Sequence, residues 1–188
     1  RVTMAGLGIN LALGVLYSWS IVRGGMVDAE WGWSYWELSL PYSIACLVFC
    51  LIMVPAGRMQ DKLGPRLVAT IGGVLVGLGM ILAALIGMQS PSASLWGFII
   101  GFGVLAGAGI GFGYASATPP AVKWFPKAKT GLIAGLVVSG FGLASVYAAP
   151  LARYLTATYS LTTMVMAFGI GFLVVVCILA QLLKAPPK

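Results

Sequence analysis

Six apolar runs of about 20 residues, separated by short polar or charged breaks, constrain this chain more than any other feature of its sequence. A helix of that length crosses about 30 Å of hydrocarbon. Lipid offers no water to backbone N–H and C=O groups, so such a run must satisfy them within its own helix, whatever its Gly and Val content would do in water. The runs fall at about 2–22, 37–57, 67–88, 95–118, 131–152 and 161–183. The expected fold class is therefore all-α, a membrane protein in which residues 1–188 form one bundle of six transmembrane helices.

With 60% hydrophobic and 8% charged residues and a mean hydropathy of +1.02, the chain has more apolar surface than a soluble domain of its size can bury. A net charge of +7 would suggest nucleic acid in a soluble protein. Here every basic residue lies outside or at the edge of a run, which makes the basicity topological and leaves no nucleic-acid partner. Counted by alternating side, Arg1, Arg58, Lys62, Arg66, Lys123, Lys127, Lys129, Lys184 and Lys188 share one side with Asp61 alone, and Arg23 and Arg153 share the other with Asp28, Glu30 and Glu37. Positive charge faces the cytoplasm, so both ends of this segment are expected inside a cell (inner) membrane that the chain crosses repeatedly.

Cys46, Cys50 and Cys177 all sit within apolar runs and the sequence has no His, so they read as small buried side chains with no metal site or disulfide. The chain starts at Arg1 without a signal peptide, and it reads as a piece of something longer. Gly97 and Gly101, Gly103, Gly107 and Gly111, and Gly131 and Gly135 recur at spacings of four. Each set lies on one helix face, where glycine lets helices approach closely in lipid. Gly107 to Gly113 falls within a span and no Lys-Ser or Lys-Thr follows, which excludes a phosphate-cradling loop.

The break between the second and third runs reads Gly57-Arg58-Met59-Gln60-Asp61-Lys62-Leu63-Gly64-Pro65-Arg66. It resembles the loop Gly-x-x-x-Asp-(Arg/Lys)-x-Gly-x-(Arg/Lys) of the major facilitator superfamily at the same place between helices two and three. Gly57 is expected to permit close helix approach, Gly64 to take a positive φ in a tight turn, and Asp61 to offer its carboxylate to helix-end amides or basic partners. The resemblance implies a cytoplasmic gating loop formed by Gly57, Asp61, Lys62, Gly64 and Arg66.

A second resemblance runs from Gly109-Ile-Gly111-Phe112-Gly113-Tyr114 through Pro119-Pro120, Lys123-Trp124-Phe125-Pro126, Gly131, Gly135 and Gly140-Phe141-Gly142 to Ala149-Pro150, with Tyr17-Ser18-Trp19-Ser20 in the first helix. It is similar to the oxalate/formate antiporter and monocarboxylate porter branch of that superfamily. What it implies is one amino-terminal half of a twelve-helix fold, each half made of inverted three-helix repeats, with a carboxyl-terminal half that is absent here. The Lys123-Trp124-Phe125-Pro126-Lys127 stretch reads as an interfacial anchor, where aromatic rings settle at headgroup level.

Substrate in such transporters sits near the midplane, so polar or aromatic side chains at that depth are the candidates. Asn10, Gly14 and Tyr17 share one face of the first helix, and Gly14 would leave room beside them. Two readings stand for Asn10 and Tyr17: cavity contacts, or a bond to a neighbouring helix and an interface-belt ring. The resemblance puts a carboxylate-contacting tyrosine at Tyr114 and a cavity aromatic at Phe141, and Ser139, near the centre of the same span, is a further candidate contact. Tyr42, after Pro41, faces either inward or lipid, and Tyr147 reads as a belt residue.

No Asp, Glu, Lys or Arg lies near the middle of any run, so an anion crossing here needs its counter-charge, and any proton its carrier, from the absent half. The function expected is secondary active transport of a small monocarboxylate such as lactate, pyruvate or acetate, with a proton as co-substrate, by alternating access. Oxalate:formate exchange is the nearest alternative, and a six-helix channel or membrane scaffold the alternative from another class. No catalytic residue, metal or cofactor is expected: the sequence lacks His, an intramembrane acid pair and a Gly-x-Ser-x-Gly elbow, so it does not read as an enzyme.

Overall fold

The computed structural model describes residues 1–28, 32–87 and 91–184. Glu30 and Lys188, counted above among the charges, and the end of the third expected run at 88 lie outside the described residues. The chain is almost wholly helical, with no strand among the described residues.

The first run is a helix in pieces: α1 (Val2–Leu13), a 3₁₀ turn over Gly14–Ser18, and α2 (Trp19–Asp28). α3 (Tyr35–Leu63) starts at a capping box, the Ser34 hydroxyl accepting from the Glu37 N–H and the Glu37 carboxylate accepting from the Ser34 N–H. α4 (Pro65–Ile86) follows after Gly64 alone. The fourth run is α5 (Pro91–Phe98), a π-helical stretch over Ile99–Ala106 and α6 (Gly107–Lys123). A 3₁₀ turn at Lys127–Lys129 leads into α7 (Thr130–Thr158), and α8 (Leu161–Leu182) begins at Ser160, whose hydroxyl accepts from the Thr163 N–H. Five segments, 35–63, 65–86, 93–123, 127–158 and 161–182, are long and apolar enough to cross a bilayer, and Val2–Leu13 is a shorter apolar helix.

Several helices outrun the expected spans. The 29 residues of α3 make about 44 Å of helix, well over the hydrocarbon thickness. The expected break at 57–66 is consequently helical as far as Leu63, and Gly64 is the reversal, at φ +88°. Polar residues past the hydrocarbon are solvated, so nothing forces the helix to stop at the last apolar position.

The packing relates the two triplets of spans by exchange. α4 and α8, the third span of each, share the most extensive contact; α3 lies on α6 as α7 lies on α1, and α4 meets α6 as α8 meets α1. The core that results buries Ile9, Leu13, Met80, Phe98, Phe102, Ile110 and Met164. At the end away from Arg66, the Trp19 indole donates to the Leu38 carbonyl (3.0 Å) and packs on Phe102 and Phe98, tying α2 to α3 and the fourth span.

Glycines of the fourth span divide between two neighbours. A methyl at Gly107 would lie 2.8 Å from the Ala45 carbonyl oxygen, and one at Gly103 or Gly111 would press on Ile44 or Ile52 of α3. On another face, methyls at Gly101 and Gly109 would lie 2.5 and 2.6 Å from the backbone oxygens of Gly79 and Gly72 in α4. Gly57, Gly131 and Gly135 pack no helix of this chain: among the described residues nothing lies within 4 Å of a Cβ at any of the three. These glycines face away from the bundle.

Candidate functional site

Tyr17 is presented by the 3₁₀ turn that interrupts the first span, where Ser20 Oγ donates to its carbonyl oxygen (3.2 Å). One turn earlier Gly14 abuts α7: a methyl there would collide with the Ala144 side chain and sit 2.6 Å from the Phe141 carbonyl oxygen. Gly14 thus leaves no free room beside the polar stripe, contrary to expectation; it admits α7. That approach sets the Phe141 ring 5.5 Å from Tyr17, edge to face.

Phe141 is the hub of a wall drawn from four spans. Tyr114 of α6 meets it edge to face at 5.5 Å, and Phe49 of α3 stacks parallel to it at 6.3 Å. Phe49 and Tyr114 close the set at 5.6 Å. Edge-to-face pairs of this kind contribute about 0.5–1.5 kcal/mol each beyond area burial. Tyr17 is 44% exposed, so its ring edge and hydroxyl remain reachable. Phe49, Tyr114 and Phe141 are half-buried. Tyr42 sits two turns before Phe49 on the same face of α3.

The other candidates lie off this wall. Asn10 is fully buried, its Nδ2 donating to the Val137 carbonyl oxygen of α7 (2.8 Å), so of its two readings the geometry matches the bond between helices. Its Oδ1 has no partner among the described residues. Ser139 is exposed and donates to the Leu136 carbonyl of its own helix (2.8 Å). Tyr147 reaches across to α1, its hydroxyl donating to the Leu11 carbonyl (2.8 Å). Phe49 escaped the sequence reading. The available signal was its seven-residue spacing from Tyr42, since a phenylalanine within an apolar run is otherwise indistinguishable from core.

At the opposite level, the basic end is stitched together. Asp61 pairs with Lys123 at 3.2 Å, joining the last turn of α3 to the end of α6. Arg66 Nε donates to the Leu183 carbonyl (2.7 Å) and Trp124 Nε1 to the Lys184 carbonyl (2.7 Å), so the first turn of α4 and the residue closing α6 hold carbonyls just past the end of α8. Gly64 takes the expected positive φ, and a Cβ at Gly57 would meet nothing within 4 Å. Lys62 is exposed. The pairing of Lys123 with Asp61 joins two motifs that the sequence shows 62 residues apart.

Chemically, the wall offers π edges, apolar faces and neutral O–H donors. It can hold the body of a small organic anion and hydrogen-bond its carboxylate, but it carries no cation to balance the charge.

The profile of the Major Facilitator Superfamily matches residues 3–188. The MFS-type transporter YhjX of Escherichia coli (strain K12), itself uncharacterized, is 29% identical over 179 residues, which cover 95% of this chain and 42% of that protein. The oxalate:formate antiporter of Oxalobacter formigenes is 30% identical over 140 residues, 74% of this chain and 31% of the antiporter. Monocarboxylate transporter 14 of Mus musculus is 30% identical over 161 residues, 81% of this chain and 27% of its own length. The chain therefore spans less than half the length of these relatives.

Proposed function

Because the chain belongs to the major facilitator superfamily, we propose that its parent protein is a secondary transporter that carries a small monocarboxylate of the lactate, pyruvate or acetate type with a proton, by alternating access. The observation that carries this reading is the wall of Tyr17, Phe49, Tyr114 and Phe141, assembled from four different spans. In this reading the substrate carboxylate accepts from tyrosine hydroxyls while its carbon skeleton lies against Phe141 and Phe49. An anion at this depth needs a cationic partner, and a proton needs a titratable carrier. Both are assigned to the second six-helix half, which rocks against this one around the wall.

Asp61, Lys123, Arg66 and the end of α8 act as the latch of the basic side, whose excess of Lys and Arg supports a cytoplasmic position. Exposed pairs of this kind contribute little stability, which suits contacts that must break on every cycle. The likeness to proteins named monocarboxylate transporter and oxalate:formate antiporter supports a carboxylate substrate.

The test is uptake of labelled lactate into vesicles holding the full-length protein, with and without an inward proton gradient. Gradient-stimulated lactate uptake is expected. Absence of lactate uptake alongside robust oxalate-for-formate exchange would replace this reading with the anion-exchange one, which the 30% identity to the antiporter favours.

A further inference from the structure

We propose that the cleft between α1 and α8 holds one anionic phospholipid of the leaflet at the basic end, its phosphate among Arg66, Lys184 and Arg1 and an acyl chain in the groove beyond them. Two cavities carry the inference. The first, of about 590 Å³, lies at the basic end and is lined by these three cations, the Gln181 amide and the rings of Trp124 and Phe125. Among the described residues no carboxylate lines it, and the acid closest in sequence to Arg66, Asp61, is paired with Lys123. Arg66 uses Nε on the Leu183 carbonyl, and its remaining guanidinium N–H groups have no partner among the described residues and can meet a phosphate. Trp124, bonded to the Lys184 carbonyl, fixes the backbone from which the Lys184 ammonium extends.

The second cavity, about 450 Å³, lies deeper and is apolar, lined by Gly8 and Ala12 of α1, Gly171 and Phe172 of α8, and Leu151 and Leu155 of α7. The Tyr147 hydroxyl at its edge is already committed to Leu11. The two cavities follow one face of each helix. Arg1, Gly8 and Ala12 are spaced by seven and four on α1, and Leu182, Leu179, Val175, Gly171 and Phe168 by three and four on α8. From Leu182 to Phe168 is about 21 Å of helix, enough for a chain reaching the bilayer midplane.

Charge and shape together select the occupant. Basic pockets between transmembrane helices take anionic headgroups, and the Trp124 and Phe125 rings sit at the level such a headgroup would occupy. Free phosphate would use the cationic cavity and leave the groove without an occupant. A neighbouring helix would enter the groove with side chains alone and would leave the three cations of the first cavity without an anion. A phosphate ester bearing a chain fills both.

The experiment is native mass spectrometry of the full-length protein with phosphatidylglycerol or phosphatidylcholine of identical chains, and glycerol phosphate as soluble competitor. The wild type is expected to retain one phosphatidylglycerol in preference to phosphatidylcholine. Lys184→Gln should lower that preference about fivefold, the worth of one cation near a charged headgroup. Gly171→Leu fills the groove from a position with nothing within 4 Å of its Cβ, and it should weaken retention of both lipids. Equal retention of the two lipids by the wild type, an unchanged preference in Lys184→Gln, undiminished retention in Gly171→Leu, or displacement by equimolar glycerol phosphate would each overturn the proposal.

Discussion

Small residues place the large ones at this site. Gly14 lets α7 come near enough for Phe141 to meet Tyr17, and Gly113, packed against Leu13, precedes Tyr114. Removing one hydroxyl from the wall should therefore change binding without changing the fold. Tyr114→Phe keeps its ring contacts at 5.5 and 5.6 Å while losing a donor to the carboxylate. A hydrogen bond to a charged group is worth about 1.5–3 kcal/mol, so KM for the monocarboxylate should rise about tenfold or more, with purified yield unchanged. Glycines make a second contrast. Gly109→Ala puts a methyl 2.6 Å from backbone atoms of α4 and should cost about 1–3 kcal/mol, read as a lower thermal-unfolding midpoint. Gly135→Ala meets nothing within 4 Å, and removing a helix-interior glycine should leave that midpoint unchanged or higher. Asn10 belongs to the structural class: one bond between membrane helices is worth about 0.6 kcal/mol, which sets the expected cost of Asn10→Leu.

At the scale of elements, the interrupted first span and the overlong α3 do different work. The 3₁₀ turn at Gly14–Ser18 carries Tyr17, and the added turns of α3 carry Arg58, Asp61 and Lys62 past the hydrocarbon. Asp61 and Lys123 are 65% and 51% exposed, so their pair should contribute less than about 1 kcal/mol to stability. Asp61→Asn is accordingly expected to leave the unfolding midpoint of the full-length protein nearly unchanged while altering its uptake rate. Loss of folded protein in this variant would show that the contact serves assembly and not gating. Salt screens exposed pairs, so raising ionic strength in the wild type should move the uptake rate in the same direction as Asp61→Asn.

Across the whole molecule, contacts exchange between two triplets of helices, and α7 keeps a face with open glycines at 131, 135 and 142. If a second half rocks against that face, a cysteine replacing Gly142 should react with a membrane-impermeant thiol reagent at a rate that changes when substrate is added; an unchanged rate would argue against motion there. Much of this molecule is legible in order along the chain. Six apolar runs, the charge imbalance, and Gly64 as the reversal before α4 follow from hydrocarbon thickness, the cost of moving charge across it, and the steric freedom of glycine, each acting locally. Helix ends were less legible, because outside the hydrocarbon a solvated helix such as α3 has no physical reason to stop at its last apolar residue. The wall was legible in part: Tyr17, Tyr114 and Phe141 through a motif, Phe49 hardly at all. Whether Asn10 faced a cavity or α7, which glycines packed and which stayed open, and that Lys123 meets Asp61 were decided by tertiary structure alone, since each depends on the rotation of one helix against another, and six uniformly apolar helices carry almost no record of that rotation in their sequence.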